Sequence, residues 1–301
     1  MSLPRAVVKN RTYMITRRCS ERRFFLRPDR ETNKAFIYCL AVAAQKYGVK
    51  VIFAVTMSNH HHTGVLDVNG NLPDFLAHFH KLLAKHQNAL RGRWEAMWAA
   101  EQTSAVELVQ PEDVFEKMVY AFANPVADHL VERVHHWPGV SSQAATIADE
   151  SLTATRPTTF FRPDGEMPAV VSLPLHLPRE LISDSRAAFV ARLQERIATA
   201  ERTAADERRR SGRDIVGRAT IRAQHWGDSP RSREPRRRLD PRVACKNTWR
   251  RIEALARNKV WLAAYRVART AFLEGAKAAF PVGTYWLRRH AGVLCEPAGT
   301  S

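Results

Sequence analysis

Two β-rich runs in this chain are separated by only two residues. Residues 49–57 are apolar and β-branched, Ser58-Asn59 is a turn signal, and residues 60–68 run on to a second turn at Asn69-Gly70-Asn71. Strands joined so closely must lie side by side, and the flanking segments must be arranged around them. Residues 29–47 are expected to be helical, with Asp29 as N-cap and Gly48 as the stop. Residues 72–90 carry Phe75, Leu76, Phe79, Leu82, Leu83 and Leu90 at helical spacing. A strand is expected over residues 12–18 and another near 104–109. Pro111, followed by Glu112 and Asp113, opens a further helix, and Asn124-Pro125 is expected to end it, because proline disfavours the α conformation in the residue before it. The order strand, helix, strand, strand, helix, strand, helix predicts an α+β fold: a ferredoxin-like antiparallel sheet with helices on one face.

Past about residue 140 the composition changes. Residues 143–180 are rich in Ser, Thr, Pro and Ala and are expected to be a linker with short extended pieces. Residues 181–301 are expected to form a basic, mainly helical region, with helices over about 180–205 and 246–279. Residues 1–142 form the sheet domain in this division.

Charge narrows the partner. The formal net charge is +17, and residues 208–251 hold 15 Lys/Arg against 4 Asp/Glu. Such a balance favours an anionic partner, nucleic acid first. Arg208, Arg209, Arg210, Arg236, Arg237 and Arg238 are the candidate phosphate contacts, with Trp226 and Trp249 as candidate stacking platforms for unpaired bases. Arg17 and Arg18 are further candidates, on the first strand. No window has the run of roughly 18 uncharged apolar residues that spanning a bilayer needs, and the N-terminus lacks the apolar core of a signal peptide. The four cysteines form no C-x-x-C pair and are expected to be small buried residues in a reducing cytosol. The expected location is the cytoplasm, on the nucleoid.

The sharpest local feature is Asn59-His60-His61-His62. Side chains alternate along a strand, so His60 and His62 project to one face and His61 to the other. Two imidazoles on one rigid edge can hold a divalent metal if a third ligand comes from elsewhere. A surface histidine cluster is the competing reading. The second feature is Tyr120 with Asn124: four apart on a helix, they share a face. A phenol can attack phosphorus where a metal polarises the phosphate, and Asn124 offers a carbonyl oxygen as a candidate third ligand. A lone tyrosine is otherwise a core or interface aromatic.

Together these segments resemble the single-tyrosine HUH transposases, specifically the REP-associated branch. Val55-Thr56-Met57-Ser58-Asn59-His60-His61-His62 resembles that family's Met-Pro-Asn-His-x-His signature, and Tyr120, Asn124, Pro125 and Val126 match its second motif. Leu130-Val131-Glu132-Arg133 and Trp137 to Ser142 resemble the continuation, and the likeness covers about residues 9–142. It implies a nuclease fold in which His60, His62 and a third ligand hold Mg2+ or Mn2+, and in which Tyr120 forms a 5′-phosphotyrosine link with single-stranded DNA beside imperfect hairpins. Related transposases include dimers, so a homodimer is among the expectations. The chain departs from the pattern twice, with His61 where an apolar residue is usual and Ser58 in place of proline. A domesticated hairpin-DNA-binding protein that does not cut is the alternative.

Overall fold

The computed structural model describes residues 4–232 and 241–297. Arg236, Arg237 and Arg238 lie outside the described residues. Four strands, β1 (Arg11–Arg18), β2 (Lys50–Met57), β3 (His60–Asp67) and β4 (Ser104–Leu108), are joined by the helices α1 (Arg30–Tyr47) and α2 (Leu72–Leu90). Within the sheet they lie in the order β2-β3-β1-β4, each antiparallel to its neighbour. This is the ferredoxin-like arrangement expected from the sequence. The end signals act as their chemistry requires. Asp29 accepts the Thr32 amide at 2.7 Å to cap α1, and Gly48 closes it at φ 65°, a conformation that glycine adopts without a Cβ penalty.

The two connecting helices cover one face of the sheet. Phe36, Leu40, Phe75, Phe79 and Leu83 pack there on Tyr13, Ile15, Val51 and Val65. The opposite face belongs to α3 (Pro111–Ala127), whose Phe115, Met118 and Phe122 meet Met14, Phe53, Val55 and Leu108. A register shift between Val51 and Phe53 lets Phe53 and Val55 serve that second core while Val51 and Ala54 serve the first. Gly64 is required opposite it: a Cβ there would stand 2.2 Å from the Phe53 ring.

Helices thus cover both faces of the sheet rather than the one face expected, because α3 also carries an apolar stripe, and three further features differ from expectation. Helix α3 does not stop at Asn124-Pro125 but takes Pro125 into its last turn and runs to Ala127. The next turn supplies other bonds, from the Asp128 amide to the Asn124 carbonyl at 2.9 Å and from the Leu130 amide to the Pro125 carbonyl at 2.9 Å. Asn124 therefore keeps its helical place beside Tyr120.

Residues 143–180 are more than a linker. They contain the short helix α4 (Gln143–Ala148) and an antiparallel hairpin of β5 (Leu152–Thr155) and β6 (Val170–Leu173), which packs against α1 through Ala154, Val171 and Leu173. The expected extended pieces are thus part of the fold.

The sheet is also mixed rather than purely antiparallel. A fifth strand, β7 (Val243–Ala244), pairs parallel with β4. The Lys246 amide donates to Asp113 at 2.8 Å and holds this junction.

The rest of the C-terminal half is helical, as expected: α5 (Arg186–Ser211), α6 (Arg218–Ala223), α7 (Thr248–Leu273) and α8 (Trp286–His290). Phe189, Leu193 and Ile197 of α5 extend the α3 core, and Arg196 holds Glu116 of α3 through two bonds of 2.7 and 2.9 Å. None of the described helices is long and apolar enough to cross a membrane.

Candidate active site

Strand parity places the histidines. His60 and His62 lie on the α3 face of β3, and His61 is fully buried on the α1–α2 face. The Nε2 atoms of His60 and His62 are 3.2 Å apart. Each Nδ1 is held by a neighbour. His60 Nδ1–H donates to Asn59 Oδ1 at 2.7 Å, which leaves a lone pair on its Nε2. His62 Nδ1 pairs with Thr16 Oγ1 at 2.9 Å, and a hydroxyl that can accept allows His62 the same tautomer. Fixing the far nitrogen in this way is how proteins orient metal-binding imidazoles.

The surroundings keep both rings neutral. Burial, then Arg18 and Arg22, push His60 down to about 3. Burial, then His60, Arg18 and Lys117, hold His62 well below the ordinary histidine range. Neutral imidazole is the form that binds metal.

Helix α3 brings the other two residues. Tyr120 is half exposed, and its ring meets the edge of His62 with centroids 5.5 Å apart. Lys117, one turn earlier, places its ammonium 5.4 Å from the Tyr120 ring centre. Asn124 is buried, and its Oδ1 has no hydrogen-bond partner among the described residues. An amide oxygen left unpaired out of water is costly, and a cation is one partner that would satisfy it. Two facing imidazole nitrogens and an orphaned carbonyl oxygen form a donor set that fits Mn2+, or Mg2+ with retained waters.

These four side chains line one cleft of about 1390 Å³. Its near wall is β1, β3 and the end of α3. Its far wall is formed by the segment 213–232, which is tied down along its length. The Val216 and Gly217 amides donate to the carbonyls of His129 and Leu130, at 3.1 and 3.0 Å. Arg27 donates to the Gln224 carbonyl at 2.9 Å, and the Phe24 amide to that of Asp228 at 2.9 Å. Arg22 reaches the Ser232 carbonyl at 2.7 Å. Ile221, buried in the α3 core, anchors the middle. Four arginines (Arg18, Arg22, Arg213, Arg231) and three carboxylates (Asp128, Glu207, Asp228) line the cleft, so it is far less one-sided in charge than the chain as a whole.

The remaining candidates are scattered. Arg17 turns to the His61 face, where it donates to the carbonyls of Ala99 and Glu101 and to Thr103 Oγ1, while Arg18 lines the cleft. Arg208 is buried in α5, and Arg209 and Arg210 are exposed near Asp206. Trp226 is half-buried against Phe25, with ring centroids 6.1 Å apart. Trp249 stands exposed on α7. The far wall was missed by sequence reasoning. It falls inside the basic segment, but charge counting does not tell which part of such a segment folds back over the site.

His61, where the chain departs from the motif it resembles, is absorbed by the core. Its Nδ1 pairs with Thr63 Oγ1 and its Nε2 with His80 Nε2, each at 3.0 Å, among the rings of Phe36, Phe79 and Trp98.

No family model matches the chain, and no curated protein matches it. Among solved structures it is similar to a REP-associated tyrosine transposase bound to a REP hairpin, at 15% identity and a TM-score of 0.42, over 49% of this chain and 86% of that one. It is also similar to an aminoacylhistidine dipeptidase from Vibrio alginolyticus, at 13% identity and a TM-score of 0.20, over 66% of this chain and 40% of that one. At such scores neither likeness specifies an activity, which has to come from the side chains of the cleft.

Proposed function

We propose that this protein cuts and rejoins single-stranded DNA, with Tyr120 as the nucleophile and His60, His62 and Asn124 as ligands of a divalent metal. One observation carries the reading. A tyrosine, two imidazoles with facing Nε2 atoms and an amide oxygen without a partner line the same cleft, although they come from two separate elements. The motif resemblance points to the same four residues.

The bound metal would polarise the phosphate and favour charge on its oxygens. The chain's own groups do the rest. Tyr120 Oη attacks phosphorus and gives up its proton to solvent. The P–O3′ bond breaks, and the departing oxygen takes a proton to become a 3′-hydroxyl. A 5′-phosphotyrosine link remains. Attack by a 3′-hydroxyl on that link reverses the step and reseals a strand, so bond energy is conserved and no nucleotide cofactor is needed. Arg18 and Arg22 face the cleft where a strand's phosphates would lie. The substrate that the resemblance implies is a strand beside an imperfect hairpin.

The test is a denaturing gel of protein incubated with Mn2+ and end-labelled hairpin strands. A covalent adduct is expected that requires metal, is absent in Tyr120→Phe and is absent in the His60→Ala/His62→Ala double variant. Tight strand binding with no adduct under any metal would replace the enzyme reading with that of a binding protein. An adduct that persists in Tyr120→Phe would show that another group is the nucleophile.

A further inference from the structure

Building on the strand-transferase reading, we propose that His129 is a strand-binding residue of the same cleft, donating a hydrogen bond from its imidazole to a phosphate oxygen of the bound DNA. Three observations meet at this residue. It lines the cleft with Tyr120 and Asn124, just past the end of α3. Its backbone sits at φ 56°, in the left-handed region that favours glycine. Its side chain is buried, and Nδ1 has no hydrogen-bond partner among the described residues.

The backbone conformation and the unpaired nitrogen each cost stability. A glycine at this position would remove both costs and would keep the bond from the Val216 amide to the residue 129 carbonyl, which needs no side chain. The described hydrogen bonds therefore give no reason for an imidazole here. Strain and unmet hydrogen-bonding capacity in one cleft residue are what a ligand contact leaves behind when viewed in the protein alone. Among the described residues that line the cleft, the other buried side-chain atom without a partner is Asn124 Oδ1, already proposed as a metal ligand. The residue sits at the cleft wall where the segment 213–232 meets the end of α3.

The experiment compares the full-length protein with His129→Gly and His129→Asn. Binding of fluorescein-labelled hairpin strands is followed by anisotropy in EDTA, so that affinity is read without cleavage. His129→Gly is expected to melt at the same or a higher temperature and yet to bind about 10- to 150-fold more weakly, the range for a hydrogen bond to a charged group. Asparagine tolerates the same backbone region and can donate, so His129→Asn should recover part of the loss.

A series of strands, each with one phosphate replaced by an uncharged methylphosphonate, sharpens the test. At one linkage the wild type should lose several-fold while His129→Gly loses nothing, a result that a purely structural role would not give. Binding by His129→Gly within two-fold of wild type would overturn the proposal. If the Tyr120 adduct forms in that case, the strand-transferase reading stands and only His129's role falls. If the wild type neither binds strands nor forms an adduct, both fall.

Discussion

His61 and His62 are adjacent in one strand, both are buried, and both imidazoles are held well below the ordinary histidine range with burial as the leading cause. They differ in what surrounds them. His61 has both nitrogens paired, to Thr63 and His80, inside a shell of aromatic rings. His62 has one nitrogen oriented by Thr16 and the other turned toward His60 at the floor of a cleft. Burial and depressed basicity therefore do not separate a core histidine from one proposed to hold a metal. The number of paired nitrogens does not either, since each ring meets one threonine hydroxyl and one histidine Nε2; the setting differs, with His62 lining the cleft and His61 enclosed by Phe36, Phe79 and Trp98.

The strongest way to break this comparison is to exchange the two phenotypes. His62→Ala should abolish Mn2+ binding seen by titration calorimetry and reduce adduct formation roughly 10³-fold, since a catalytic metal supplies several kcal/mol of charge stabilisation. Its melting temperature should change little. His61→Ala should do the reverse, with stability falling by about 2–4 kcal/mol from the cavity and the unpaired His80 ring, while metal binding persists at low temperature. If His61→Ala also abolishes metal binding in folded protein, the two faces are not independent.

The closed face has its own pH signature. Burial pushes His80 down to about 3 in the folded protein, against 6.5 for an ordinary histidine. Below 6.5 the unfolded chain takes up a proton that folded His80 refuses, so stability present at neutral pH is lost as pH falls from 6.5 toward 3. The slope is at most about 1.4 kcal/mol per pH unit for one such group. Denaturant titrations across that window should show the slope reduced in His80→Phe. An unchanged slope would place the linkage in other groups.

The smallest effect concerns the neighbouring strand, where Arg17 and Arg18 stand opposite His61 and His60. Arg17→Gln should cost about 1 kcal/mol of stability and leave strand affinity alone, because its donors serve the carbonyls of Ala99 and Glu101 and the hydroxyl of Thr103. Arg18→Gln should weaken strand binding several-fold and flatten its salt dependence by about one phosphate contact. Equal effects on affinity would mean that the face does not decide the role.

What was legible in the sequence follows from the range of each signal. The bounds of α1 rest on Asp29 and Gly48, each acting within one turn, and they hold. The sharing of a face by His60 and His62, and by Tyr120 and Asn124, follows from periods of two and of four within single elements. Pro125 does not end α3 because the amides of Asp128 and Leu130 bond to the Asn124 and Pro125 carbonyls, contacts that the Asn-Pro pair by itself does not reveal. The pairing of His61 with His80 joins two elements, and β7 is two residues long, too short for alternation to register. The far wall is the plainest case. It is held mainly by backbone carbonyls, which every residue possesses and no sequence advertises.

That far wall has a consequence during synthesis. It is translated after every near-wall part of the cleft, behind Tyr120 by a delay on the order of ten seconds at ordinary elongation rates. For that interval a nascent chain carries the histidine pair and the tyrosine on an open half-cleft. The free edge of β4 also waits, because Val243 and Ala244 emerge later still. The segment 213–232 is thus the last part of the described cleft lining to be made.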